Sequence, residues 1–262
     1  MLDEAQLGEL ERRGHLRLPS FVDREAVAAM QGAVWSFLRS RGIEPGHRDE
    51  WPAKIAKLQA LRKAGAFDPF LGADLDRLAD QLIGAGRWSD LGSRPQALLS
   101  LPEPGPWTLP HQTWHFDLPP RGPTATWGAI RFLGFVDRVE PQGGGTLVVE
   151  GSHRLVRRMV ETSPAGDAGQ SADARKALRR NEWFAGLNDP TTPPKRLFDG
   201  AAVDGVDVRV AELTGDAGDL VVMHPWLMHN IAMNCSDRPR MMMSYTRYAG
   251  TTFEIEPPWE IA

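Results

Sequence analysis

The chain has 262 residues, 42% of them hydrophobic and 24% charged, with a formal net charge of −4. This is an ordinary globular composition, with no basic footprint for nucleic acid and no polybasic membrane patch. Cys235 is the only cysteine, which excludes an intrachain disulfide and a cysteine-based zinc cluster. No apolar run reaches the roughly 18 residues of a membrane span, and the N-terminus is too charged for a signal peptide. A cytoplasmic protein folding as one domain over residues 1–262 is expected.

The first hundred residues read mainly as helices. "GHLRLPSF" looks like a short strand feeding a helix. Asp23 is a plausible N-cap, and Val27, Met30, Val34, Phe37 and Leu38 then recur at spacings of three and four. That helix should stop near Gly42. "KIAKLQALRKAG" from Lys54 and "DLDRLADQLIGAG" from Asp74 repeat the pattern, the second with Leu75, Leu78 and Leu82 on one face.

Beyond about residue 100 the texture becomes β-rich. "TATWGAIRFLGFVDRV", "GGTLVVEGSH", "VDVRVAEL", "GDLVVMHPW" and "RMMMSYTRY" are short and separated by Gly, Pro, Asp or Asn. Strands in series predict a sandwich or barrel over about residues 101–250, with helices packed outside it. Residues from about 155 to 200 interrupt the strands, with "SADARKALRRNEWFAGL" helical and "NDPTTPPK" loop. Such an excursion suits a lid or binding loop.

The chemistry gathers in "HQTWHFD". Read as a strand of period two, it places His111, Thr113, His115 and Asp117 on one face. A His-x-Asp pair brings an imidazole nitrogen and a carboxylate oxygen within reach of one ion. A third ligand is available in "GDLVVMHPWLMHN", where His224 and His229 are five apart and Pro225 can break the alternation, so periodicity does not choose between them. Two histidines and one carboxylate, with the other positions open, form the facial triad of non-haem Fe(II) oxygenases. Arg240 follows His229 across the turn-rich "NCSDRP", and a hairpin there would return it alongside the histidine strand. An arginine among methionines is costly to bury unless it meets an anion, and its planar fork suits a carboxylate; the alternative is an exposed arginine at a strand start. Met242 and Ser244 share its face at period two. Arg238 and Arg247 fit an exposed position.

These stretches together resemble the phytanoyl-CoA dioxygenase family of Fe(II)- and 2-oxoglutarate-dependent oxygenases. "WHFD" resembles its His-x-Asp strand, "GGGTLVVEGSHRL" its Gly-rich strand and Gly-Ser-His turn, and "GDLVVMHPWLMHNIAMNCSDRPR" its distal block. The resemblance implies a mainly β fold with flanking α-helices around a double-stranded β-helix, the jelly-roll or cupin-like core. It implies Fe(II) bound by His115, Asp117 and His229, with His224 set aside. It further implies Arg240 on the distal carboxylate of 2-oxoglutarate, and Ser244 assisting by hydrogen bonding. Two positions depart from the family pattern: Ile231 stands where a small polar residue is common, and Glu150 where proline usually precedes the Gly-Ser-His turn. His153 in that turn is expected to be structural.

The implied function is a dioxygenase using Fe(II), 2-oxoglutarate and O2 to hydroxylate or otherwise oxidise a C–H bond of a small-molecule substrate, releasing succinate and CO2. Related halogenases carry a small residue at the carboxylate position, and Asp117 sets this chain apart from them. The alternatives are a metal-dependent lyase or isomerase that does not use 2-oxoglutarate, and a non-catalytic binding barrel. Trp114, Trp127, Trp226 and the methionines near Arg240 are candidate dry walls. Lys54, Arg87 and Arg131 are candidates for a substrate carboxylate, or else surface ion-pair partners. Substrate identity and oligomeric state are not legible.

Overall fold

Helix α1 (Glu4–Arg13) begins with Asp3, whose carboxylate accepts from the Gln6 amide while the Gln6 side chain reaches back to the Asp3 amide. It ends at Gly14, whose φ of +86° turns the chain into strand β1 (His15–Leu18). A Cβ at Gly14 would lie 2.5 Å from Nδ1 of His153, so this turn also has no room for a side chain. The structure, a computed structural model, describes residues 1–52, 54–122 and 127–250.

Helix α2 (Arg24–Arg39) starts as the sequence predicts, with Asp23 accepting from the Ala26 amide, a cap that stabilises by about 1 kcal/mol. Val27, Met30, Val34 and Leu38 form its buried face. The helix expected from Lys54 is much shorter: α3 covers only Gln59–Lys63. Lys57 has a φ of +60°, a left-handed conformation that no α-helix accommodates. Helix α4 (Ala73–Leu82) buries Leu75 and Leu78 as expected. Strands β2 (Trp88–Ser89), β3 (Gln96–Ser100), β4 (Ala129–Phe135) and β5 (Thr146–Glu150) follow. Residues 124–126 of "TATWGAIRFLGFVDRV" lie outside the described residues.

The excursion contains α5 (Ser152–Thr162), α6 (Ser171–Leu178), α7 (Glu182–Gly186) and α8 (Pro194–Asp199). The single helix expected over "SADARKALRRNEWFAGL" is two, because Asn181 caps a new start by accepting from the Trp183 amide. The end of "NDPTTPPK", expected as loop, opens α8 with a proline in its first turn. Strands β6 (Ala201–Val203), β7 (Val206–Leu213), β8 (Leu220–Met223), β9 (His229–Ile231) and β10 (Arg240–Ala249) complete the described elements.

The strands form two antiparallel sheets. The larger runs β1-β8-β4-β10-β2, with β3 also paired to β10; the smaller runs β6-β7-β5-β9. Strands β1 and β3 thus bring part of the first hundred residues into the core. Between the sheets lie Leu133, Phe135, Val148, Leu213, Val221, Met223 and Met242. The outer face of the larger sheet, including Phe132, Met241, Met243 and Tyr245, packs on α1, α2 and α4. The outer face of the smaller sheet, including Leu147 and Val149, packs on α5 to α8. Helices outside a two-sheet β core are the expected arrangement, and each sheet is covered on one side only by helices. The excursion is therefore chiefly an outer layer. Its 164–171 stretch does reach towards the centre: the amide of Gly122 donates to Gly166, that of Ala168 to Pro120, and Oγ of Ser171 to Leu118.

Candidate metal centre and co-substrate pocket

Three of the predicted ligands meet. His115, Asp117 and His229 each offer a ligand atom, and these atoms lie within 4.8 Å of one another. His115 and His229 are joined as an antiparallel bridge, so the His115 strand extends the smaller sheet past β9. The Asp117 amide donates to the Pro225 carbonyl, fixing the next turn of the same segment. Register across β5 pairs His229 with Val148, and Val148 faces the gap between the sheets. The ligand cluster therefore opens into that gap.

The imidazoles are oriented by their own main chain. Nδ1 of His115 lies 2.8 Å from the Thr113 carbonyl and Nδ1 of His229 3.0 Å from that of Leu227. A carbonyl only accepts, so Nδ1 carries the proton and the Nε2 lone pair is free for a cation. Nε2 of His229 stands 3.7 Å from Oδ1 of Asp117. Burial pushes His229 down towards the neutral, ligating form, against the opposing pull of Asp117. Burial pushes the Asp117 carboxyl up, but Arg131, His229 and His115 together outweigh it and hold it below the usual carboxylate range. Two imidazoles with Nε2 turned to one point and an ionised carboxylate, with Asp117 Oδ2 buried and without a hydrogen bond, fit a divalent transition metal.

The strand expected through "HQTWHFD" is less regular than period two. Thr113 has a φ of +64°, which breaks the alternation, and His111 turns away to contact the Leu187 carbonyl at 3.3 Å. Asn230 bridges the break: its Nδ2 donates to the Gln112 carbonyl at 2.5 Å, and its Oδ1 accepts from Thr113 Oγ1 at 3.0 Å. His224 is outside the cluster. Its Nδ1 accepts from the Trp226 amide, and its ring packs on Trp127 and His153. His153, as expected, is a packing residue, its Nε2 donating to the Glu11 carbonyl; burial lowers it to about 4.

Arg240 reaches the gap by a different route from the hairpin expected. It lies on β10 in the larger sheet, whereas His229 lies on β9 in the smaller one. Residues 232–239 cross between sheets, and Asn234 holds the crossing through the carbonyls of Arg238 and Ser100 and the amide of Ser236. Arg240 is 3% exposed and donates to the Gly144 carbonyl at 2.6 Å. Burial lowers it to about 10, with Glu212 opposing, so it stays cationic at neutral pH. Glu212 is pushed up by burial and accepts from the amides of Gln142 and Gly145. Nε of Arg240 and Oγ of Ser244 and Ser100 are buried with no partner. An anion with several acceptor oxygens fits those donors.

Ser100 escaped sequence reasoning because its place depends on β3 pairing with Arg240 across 140 positions of chain. Arg131, one of three arginine and lysine candidates for a carboxylate, lies in the gap, with Nε 3.4 Å from Asp117 Oδ2 and Nη1 2.9 Å from Thr246 Oγ1. Lys54 and Arg87 are exposed. Arg247 is buried rather than exposed, between Asp76 at 2.7 Å and Asp90 at 3.2 Å. Trp114 faces away from the ligands, into the layer under the excursion helices. A cavity of about 210 Å³ lies on that side, lined by Trp114, Met228, Arg175, Arg179, Phe184 and Asn188. The strand carrying His115 separates it from the ligand cluster.

Solved structures of similar fold include AviO1 from Streptomyces viridochromogenes Tue57, at 18% identity and a TM-score of 0.57 over 96% of this chain and 97% of that one. EctD from S. alaskensis, solved with 2-oxoglutarate and 5-hydroxyectoine, matches at 15% identity and 0.57 over 95% and 76%. The epimerase SnoN, solved with Fe3+, alpha ketoglutarate and nogalamycin RO, matches at 18% and 0.51 over 94% and 83%. At these identities the likeness carries the fold: a double-stranded β-helix with flanking helices. No curated protein sequence matches the chain. No helix among the described residues is long and apolar enough to cross a membrane. The family model for phytanoyl-CoA dioxygenase (PhyH) matches residues 10–242, and the chain belongs to that family of non-haem iron- and 2-oxoglutarate-dependent enzymes.

Proposed function

We propose that His115, Asp117 and His229 hold one Fe(II), that Arg240 with Ser244 receives the distal carboxylate of 2-oxoglutarate, and that the enzyme hydroxylates a C–H bond of a small molecule. The whole chain, residues 1–262, is read as one domain serving this site. The observation that carries the reading is the convergence of three ligand atoms within 4.8 Å, both histidines having Nδ1 committed to main-chain carbonyls. When bound, the iron and its 2-oxo acid supply activation of dioxygen, with succinate and CO2 released and one oxygen atom available to the substrate.

The protein's own part is orientation and exclusion. Asp117 and the two imidazoles confine ligation to one face. Arg240, buried and still charged, fixes the far end of the co-substrate so that its 2-oxo acid end meets the ligand cluster. Met242, Leu133 and Val148 line the gap between the sheets and keep it dry. Hydroxylation is favoured over halogenation because Asp117 occupies the position where a halide would need room. SnoN is an epimerase on a similar fold, so product analysis is part of the test. The experiment is Fe(II)-dependent turnover of 2-oxoglutarate under isotopically labelled dioxygen. Label in succinate and in an oxidised substrate supports the reading. Succinate formation no faster than in His115→Ala would sink it.

A further inference from the structure

Arg131 favours the ionised form of Asp117 by charge, a role that uses none of its N–H groups. Strand β4 places it opposite Thr246 on β10 and Met223 on β8. Its side chain enters the gap between the sheets and is 25% exposed. Of the five N–H groups of a guanidinium, one makes a hydrogen bond to the described protein, from Nη1 to Thr246 Oγ1. Nε is buried and unbonded, and so is Oδ2 of Asp117 opposite it. At 3.4 Å the two groups attract by charge but form no hydrogen bond. A buried N–H left in that state is costly until an acceptor reaches it.

Charge in the gap points the same way. Arg131 and Arg240 supply two positive charges, with Asp117 facing the first and Glu212 the second. A bound divalent metal would be balanced by Asp117 and one carboxylate of 2-oxoglutarate, which would leave Arg131 without a counter-charge at its own end of the gap. The distal carboxylate of the co-substrate, held at Arg240, does not reach Arg131, and the 2-oxo acid end is the part committed to the metal. Thr246, the cross-strand neighbour of Arg131, is six residues beyond Arg240 on β10, roughly 20 Å of strand. A five-carbon diacid is far shorter. Glu212 lies at the Arg240 end, bonded to Gln142 and Gly145.

We infer that Arg131 is a receptor for a carboxylate on the primary substrate, held beside Asp117 so that a C–H bond close to that carboxylate faces the metal. The inference rests on the proposed roles of His115, Asp117, His229 and Arg240. It narrows the substrate class to small carboxylic acids, with Thr246 holding the guanidinium in place.

The test uses the anaerobic Fe(II)- and 2-oxoglutarate-loaded protein, reading its visible charge-transfer band. Wild type, Arg131→Met and Arg131→Lys are each titrated with 2-oxoglutarate, then with acetate and benzoate against acetamide and benzamide. The expected result is a saturable change of the wild-type band by the acids only. Arg131→Met should lose that response at least tenfold while binding 2-oxoglutarate within twofold of wild type, and Arg131→Lys should recover part of it. Loss of 2-oxoglutarate binding in Arg131→Met would instead assign the residue to the co-substrate and overturn the inference. Acids and amides acting alike, or neither acting, would leave Arg131 as a brace for Asp117 and also overturn it. Absence of a band in the wild type would count against the metal and co-substrate reading itself.

Discussion

His115 and His229 are each other's cross-strand partner: the His115 amide donates to the His229 carbonyl at 3.1 Å, and the His229 amide donates back at 3.0 Å. Two side chains of a hydrogen-bonded antiparallel pair project to the same face with Cα atoms about 5.5 Å apart. The imidazole rings accordingly lie with centroids 4.2 Å apart. The spacing of these two candidate ligands is a property of the sheet, set by main-chain bonds.

Asn230 is the side chain that ties the irregular 112–113 segment to this ladder. Asn230→Ala should leave the fold intact and lower Fe(II) affinity about tenfold, the usual range for a residue that orients a ligand. Metal titration beside circular dichroism checks this. An unchanged affinity would show that the β9 pairing alone suffices.

Arg240→Ala should separate co-substrate from metal. Removing a buried charged donor costs about 2–5 kcal/mol in binding, so 2-oxoglutarate affinity should fall at least thirtyfold while Fe(II) still binds. Calorimetry on the anaerobic protein measures both. Retained 2-oxoglutarate affinity would show that the distal carboxylate is held elsewhere than at Arg240.

Glu150, the residue standing where the family usually has proline, explains itself in the structure. Its carboxylate meets His15 at 3.0 Å and Arg209 at 2.6 Å, with Arg13 at 3.8 Å, joining the N-terminal segment to the smaller sheet. Burial alone would raise its pKa, but His15 and Arg209 lower it to about 2 from 4.5. A folded-state pKa below the unfolded one stabilises fully above the unfolded value, and that stability is lost as pH falls from about 4.5 towards 2. Glu150→Gln should cost about 1–3 kcal/mol at neutral pH and flatten the acid limb of a Tm-versus-pH curve. Parallel acid limbs for variant and wild type would contradict this.

Gly14→Ala should destabilise by more than about 1 kcal/mol, because a left-handed φ strains any side chain there. The added Cβ would also lie 2.5 Å from His153 and 2.7 Å from Leu227. Chemical denaturation gives the value. A neutral result would mean that the helix end and His153 can both shift without cost.

The site was partly legible because some of its geometry is local. His115 and Asp117 are two residues apart on one segment, so spacing alone brings them together. Spacing did not choose His229 over His224; the family resemblance did. The structure places His229 on a strand facing the gap and buries His224 against Trp127 and His153. Arg240 was legible as a buried cation, but not the sheet it belongs to, since its turn-rich approach resembles a hairpin and is instead a crossing between sheets. Ser100 and Arg131 depend on pairings with distant strands, which no local pattern encodes. Lys57 shows the opposite failure: helical periodicity runs from Lys54, but a left-handed residue keeps the helix from starting before Gln59.

The most direct test of the triad is anaerobic titration of wild type and His229→Ala with Fe(II), followed by 2-oxoglutarate. The account predicts one iron per wild-type chain and a visible charge-transfer band on adding 2-oxoglutarate, with iron affinity reduced about a hundredfold or more in His229→Ala. Equal iron binding and an equal band in the two proteins would contradict it.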